Sequence, residues 1–155
     1  MMRGTILCLV EDNDHGRAAL QAGADLSDRL NLRLVLAHVV GGVDEPSADE
    51  NAARTCRQEA GARLVARLAA ELGLSDRAEH RSAVGDPATR LGQIAAEEAA
   101  DLIVVGAPAG GRLRRFSESR LAEHLESATT VPVVFVPPPA AKRRSARDGA
   151  GANVN

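Results

Sequence analysis

The sequence predicts an α/β protein: a single open five-stranded parallel sheet with helices on both faces. Three observations carry that prediction. Five short apolar runs recur along the chain, at residues 5–10, 32–40, 78–84, 101–106 and 131–136. These runs are nearly continuous rather than alternating, as in strands covered on both faces. The segments between them carry apolar residues at helical spacing, and helices alternating with such strands form βαβ units.

After the first strand, Leu20, Gly23, Ala24, Leu26, Ser27 and Leu30 mark one face of a helix, with Asp14 expected as its cap and Asn31 as its left-handed end. Residues 41–49, with Pro46 inside, read as a loop. A second helix is expected over residues 50–72, where Ala53, Cys56, Ala60, Leu64, Leu68 and Leu72 recur every three or four positions and Gly73 is the stop. Its arginines Arg54, Arg57, Arg63 and Arg67 interleave with Glu50, Glu59 and Glu71, which reads as a solvated, ion-paired face. Gly85-Asp86-Pro87 starts a third helix, with Asp86 at the cap and Pro87 at the first helical position, where its missing N–H costs nothing. Leu91, Ile94, Ala95 and Ala99 form its inner face, and a fourth helix is expected after Phe116 with Leu121, Ala122 and Leu125 inward. Beyond Pro137-Pro138-Pro139 almost nothing remains to bury, so the chain divides into a folded domain, residues 1–138, and a basic tail, residues 139–155, expected to be disordered.

Composition narrows the function classes. With 155 residues, 45% hydrophobic and 26% charged, the chain suits one soluble domain. Trp and Tyr are absent and only Phe116 and Phe135 carry rings, so base stacking has no platform and nucleic acid is excluded as the expected partner. Residues 1–141 carry 15 basic and 20 acidic groups while the tail is basic, a balance that selects no partner. Cys8 and Cys56 form no CxxC pair and are expected as two buried, reduced thiols. No run approaches the ~20 apolar residues of a membrane span. The apolar stretch 6–10 is too short for a secretory signal, so a cytoplasmic protein with no membrane partner is expected.

In an open α/β sheet, ligands bind beyond the carboxyl ends of the strands where the strand order reverses. The turn after the first strand, Glu11-Asp12-Asn13-Asp14, and the glycine-rich turn after the fourth, Gly106 to Arg112, are expected to meet there. Gly106, Gly110 and Gly111 let backbone N–H groups approach an anion; Arg112, Arg114 and Arg115 supply donors, and Ser117 and Ser119 hydroxyls. The plainer reading makes the glycines a tight turn, the arginines solvated and Ser117 a helix cap. Arg112-Leu113 replaces the Lys-Ser/Thr of a P-loop, and the stretch is not GxGxxG either, so hydride transfer lacks support. Glu11, Asp12 and Asp14 have the composition of a receiver's cation site, but the only lysine, Lys142, lies in the tail. His15, His38, His80 and His124 have no zinc spacing, and no metal site is expected. His38, among apolar strand residues, reads as a hydrogen-bonded core histidine.

Taken together, residues 5–11, 34–40, 84–87, 101–106 and 131–136 resemble the universal stress protein family in order and spacing over residues 3–138. The resemblance implies a Rossmann-like sheet of the adenine nucleotide alpha hydrolase type, a stress-response role in bacteria, and ATP or AMP as a regulatory ligand, with magnesium only alongside ATP. It also implies a homodimer formed through strand 131–136 and leaves room for a regulatory protein partner. ATP-binding members carry G-x2-G-x9-G-S/T after the fourth strand and an Asp ending the first. Here Gly106 matches the first glycine, Ala109 holds the second position with Gly110 one residue on, and Ser119-Arg120 stands for Gly-Ser; Glu11 replaces the Asp and Leu9 the usual proline. The resemblance thus assigns Glu11, Val39, Val105, Gly106, Gly110, Gly111, Arg112, Ser119 and Arg120 to a degenerate nucleotide site used for regulation, with no catalytic residue. Its alternatives are a nucleotide-independent dimeric adaptor, and a competent ATP binder with slow hydrolysis or autophosphorylation at Ser117 or Ser119.

Overall fold

A computed structural model describes residues 3–41, 48–107 and 111–138. Nine elements alternate: β1 (Thr5–Leu9), α1 (Asp14–Leu30), β2 (Arg33–Val40), α2 (Ala48–Glu71), β3 (Ala78–Val84), α3 (Pro87–Glu97), β4 (Leu102–Gly106), α4 (Gly111–Ala128) and β5 (Val133–Val136). All strand pairs are parallel and the order is β3-β2-β1-β4-β5. The fold is the expected α/β sandwich of helices on one sheet. The central strands are mostly apolar because both faces are covered. On one face Ile6, Cys8 and Leu36 pack with Leu20 of α1 and Val65 and Leu68 of α2; on the other Leu7, Val35 and Ile103 pack with Leu91 and Ile94 of α3 and Leu125 of α4.

Several local expectations change. The cap of α1 is Asn13, not Asp14: its Oδ1 accepts from the Gly16 N–H at 2.7 Å. Asn31 does end the helix in the left-handed region, φ 53°, but Leu30 points into solvent. In α2 the inner face is Gly61, Val65, Leu68 and Ala69, while Ala53, Cys56 and Ala60 are exposed and Leu72 is partly so. The two thiols therefore part company, Cys8 buried and Cys56 exposed. Gly73, φ 68°, stops α2 as expected, since only glycine takes that conformation without strain. Asp86 caps α3 with Pro87 following, but Ala99 lies outside the helix and exposed. α4 begins at Gly111, five residues before Phe116, so Ser117 sits inside the helix rather than at its cap. Arg and Leu are good helix formers, and residues 112–115 extend the helix towards the turn. Strand β5 starts at Val133, two residues later than the apolar run. The loop around Pro46, Gly110 and the tail 139–155 lie outside the described residues.

The two sheet edges differ. Gly85 N donates to the Val40 carbonyl at 2.8 Å, so alternate residues of β3 face β2 and the carbonyls of Ser82 and Val84 face outward. Side chains take both: Gln58 Nε2 donates to Ser82 O at 3.1 Å, Arg54 Nη2 to Val84 O at 3.2 Å, and Arg90 Nε to Val84 O at 3.0 Å. Ser82 Oγ donates back to Gln58 O at 2.8 Å. At the other edge, Ile103 N and Ala107 N bond to the carbonyls of Pro132 and Val136, which leaves the backbone groups of Val133 and Phe135 turned away from β4.

Candidate functional site at the carboxyl ends of β1 and β4

From β1 the chain runs outward through β2 to β3, then crosses back to β4 and outward to β5. The reversal therefore falls between β1 and β4, and the first turns of α1 and α4 diverge there. Gly106, which opens the second turn, meets not the acidic turn itself but the first turn of α1 just beyond it. A Cβ placed on Gly106 would lie 2.4 Å from the His15 carbonyl oxygen and 2.9 Å from the Gly16 nitrogen. The end of β4 thus lies directly against the first turn of α1, and a glycine is needed for that approach whether or not an anion binds.

Glu11, two residues past the end of β1, is half-buried. Its Oε2 accepts from Asn13 Nδ2 at 3.1 Å and lies 3.4 Å from His15 Nε2, one helical turn on. Asp12 points away, towards α2: Arg17 Nη2 donates to it at 3.0 Å and Arg67 Nη2 at 2.7 Å, while Arg17 Nη1 reaches Glu71 at 2.6 Å. These two guanidiniums hold the Asp12 carboxyl below the usual carboxylate range. The acidic turn is therefore tied to α1 and α2 by arginines, and among the described residues it forms no cluster able to hold a metal. His38 is hydrogen-bonded as expected, its Nδ1–H donating to the Val10 carbonyl at 2.7 Å, but it is half-buried rather than in the core.

The remaining assigned residues separate. Val105 is fully enclosed in the second core cluster, and Val39 packs on that cluster while half-exposed. Gly111 is the first residue of α4, and the N–H groups of that first turn have no partner within the helix. Arg112 follows inside the helix. Ser119 and Arg120 stand eight and nine residues beyond Gly111 in the same helix, which puts them roughly 12 Å along its axis. The residues present fit an adenine nucleotide in part: a carboxylate for hydroxyl or amino donors at Glu11 and a helix N-terminus for phosphate at Gly111. Sequence reasoning missed Asn13 and His15. The i, i+4 spacing of Glu11 and His15 was the available signal.

Comparison with known proteins agrees with this architecture. The universal stress protein family profile matches residues 2–137. No curated protein matches the chain by sequence. Among solved structures, a universal stress family protein from Burkholderia pseudomallei is 27% identical, with TM-score 0.65 over 88% of this chain and 97% of that one. A universal stress protein in complex with cAMP is 22% identical, with TM-score 0.61 over 90% and 100%. One from Archaeoglobus fulgidus in complex with dAMP is 15% identical, with TM-score 0.54 over 88% and 99%. With a parallel sheet in this order and a family match that spans nearly all of residues 3–138, the chain belongs to the universal stress protein family.

Proposed function

We propose that this universal stress protein responds to adenine nucleotides through a weakened site between β1 and β4, and that it regulates by association rather than by turnover. The observation that carries the reading is the switch point itself, where half-buried Glu11 and the start of α4 flank the tight contact of Gly106 with α1. The cAMP and dAMP held by two structural neighbours support adenine nucleotides as the ligand class. The site is weakened because Ser119 and Arg120 lie along α4 instead of beside its N-terminus. A lost hydrogen bond to a charged group costs about 1.5–3 kcal/mol, enough to move a micromolar ligand towards millimolar. No helix among the described residues is long and apolar enough to cross a membrane, in keeping with action in the cytoplasm.

Calorimetry with ATP and AMP tests the proposal, with expected dissociation constants no tighter than about 100 μM. Stoichiometric nucleotide in the purified protein would overturn it. Intact-mass measurement after incubation with ATP and magnesium separates the autophosphorylating alternative, for which a mass gain of one phosphoryl group is required. A nucleotide-independent dimeric adaptor is the second reading, favoured by the uncovered edge at β5, where Val134 is 42% exposed.

A further inference from the structure

Two guanidinium groups converge on one oxygen at the carboxyl end of β3. Arg54 reaches the Val84 carbonyl from α2 and Arg90 reaches it from α3, at 3.2 and 3.0 Å. The two helices belong to opposite faces of the sheet, so the cations arrive from both sides of it. Both side chains are half-buried. Among the described residues neither joins an ion pair, whereas Arg17, Arg33, Arg67, Arg77 and Arg81 all do.

One carbonyl has lone pairs for two donors, but it carries no charge to balance two cations. Asp86, the carboxylate nearest Val84 and Arg90 in sequence, is engaged elsewhere: it accepts from the Thr89 N–H at 3.0 Å and from Thr89 Oγ1 at 2.8 Å, and it lies near His124. Gln93 Oε1, also neutral, takes one further N–H of Arg90 at 2.9 Å. Gly85 belongs to the same arrangement. A Cβ there would meet Arg90 Nε at 2.7 Å, so the glycine admits the guanidinium against the backbone. Two forked cations held close together and partly out of water, on acceptors that carry no charge, match the oxygens and charge of a phosphate dianion.

We propose that Arg54 and Arg90 form an anion subsite for a phosphate dianion, as free phosphate or as a phosphomonoester, separate from the crevice between β1 and β4. Strands β3 and β1 are two ladder spacings apart, about 10 Å, so one mononucleotide phosphate at the start of α4 does not occupy both places. The proposal stands independently of the nucleotide reading, since adenosine binding reports on the crevice and inorganic phosphate on the arginines.

The experiment titrates the whole protein with inorganic phosphate against sodium chloride of equal ionic strength, following melting temperature and backbone amide shifts. Phosphate is expected to raise the melting temperature beyond the chloride control and to shift the amides of Val84, Gly85 and Arg90 in the wild-type protein. Arg54→Gln and Arg90→Gln are each expected to weaken phosphate by about tenfold or more. Arg54→Lys, which keeps the charge and loses the fork, should fall between. AMP that binds more tightly than phosphate, with the advantage lost in Arg90→Gln, supports the subsite as one for a phosphomonoester; equal affinities support free phosphate. The absence of any phosphate-specific shift in the wild-type protein overturns the proposal, and so does undiminished binding by a folded double variant.

Discussion

At the scale of single residues, Gly106 makes the sharpest prediction. The atoms nearest a new Cβ belong to the backbone of His15 and Gly16, which cannot swing aside as a side chain would. Gly106→Ala should therefore destabilise the fold by about 1–3 kcal/mol in urea unfolding, the usual range for overpacking. The two cysteines make a second. Burial pushes the Cys8 thiol from its ordinary value near 9 up to about 12, while Cys56 is exposed. One thiol should react with a disulfide reagent in the native protein at pH 8 and two in denaturant. Because the folded state favours the neutral Cys8 thiol, its contribution to stability is fully present below pH 9 and is lost as the pH rises from 9 towards 12. Asp12 acts in the opposite sense, with its carboxyl depressed by Arg17 and Arg67, so its contribution is present at neutral pH and is lost on acidification below the ordinary carboxylate range. Cys8 was legible as a buried thiol because its whole strand is apolar. Cys56 was not, because burial in an alanine-rich helix depends on which side meets the sheet.

Helix α2 shows the same limit at the scale of an element. Alanine and glycine recur at so many positions that several faces satisfy a helical spacing, and the sequence gives little contrast among them. The face is chosen by close approach: a Cβ on Gly61 would come 2.7 Å from Ser82 Oγ and 2.9 Å from His38 Cδ2. Helix α3 was easier to read, because Asp86 and Pro87 act locally and the cap forms as expected. Asp86→Ala should cost about 1 kcal/mol in thermal or chemical unfolding, the typical worth of such a cap. For strand β5, the outward groups of Val133 and Phe135 invite pairing with a second copy, which we propose as the dimer contact. Val134→Lys should shift the protein to monomer in light scattering. A monomeric wild-type protein in the same measurement would count against this contact.

For the whole molecule, β1, β2, β4 and β5 were legible because strands of a parallel sheet covered on both sides demand largely apolar runs, whereas the edge strand β3 (Ala-Glu-His-Arg-Ser-Ala-Val) is mostly polar, with Glu79 and His80 exposed, and is marked by its place between α2 and the Gly85-Asp86-Pro87 turn. The start of α4 was not legible, since glycine and arginine after a strand suit a phosphate-binding turn and a helix equally well. That ambiguity bears directly on the site, as it decides whether Ser119 lies beside Gly111 or two turns beyond it. The contrast between the sheet edges has a consequence for how far association can go. With Gln58, Arg54 and Arg90 occupying the outward carbonyls of β3, the contact we propose at β5 would give each copy a valence of one. A unit with one reactive end couples once and then terminates, as an end-capped monomer does in a polymerisation. Chemical crosslinking across rising protein concentration should therefore stop at pairs, without a ladder of higher species, and substitution of Gln58, Arg54 and Arg90 together by alanine should be what first lets that ladder appear.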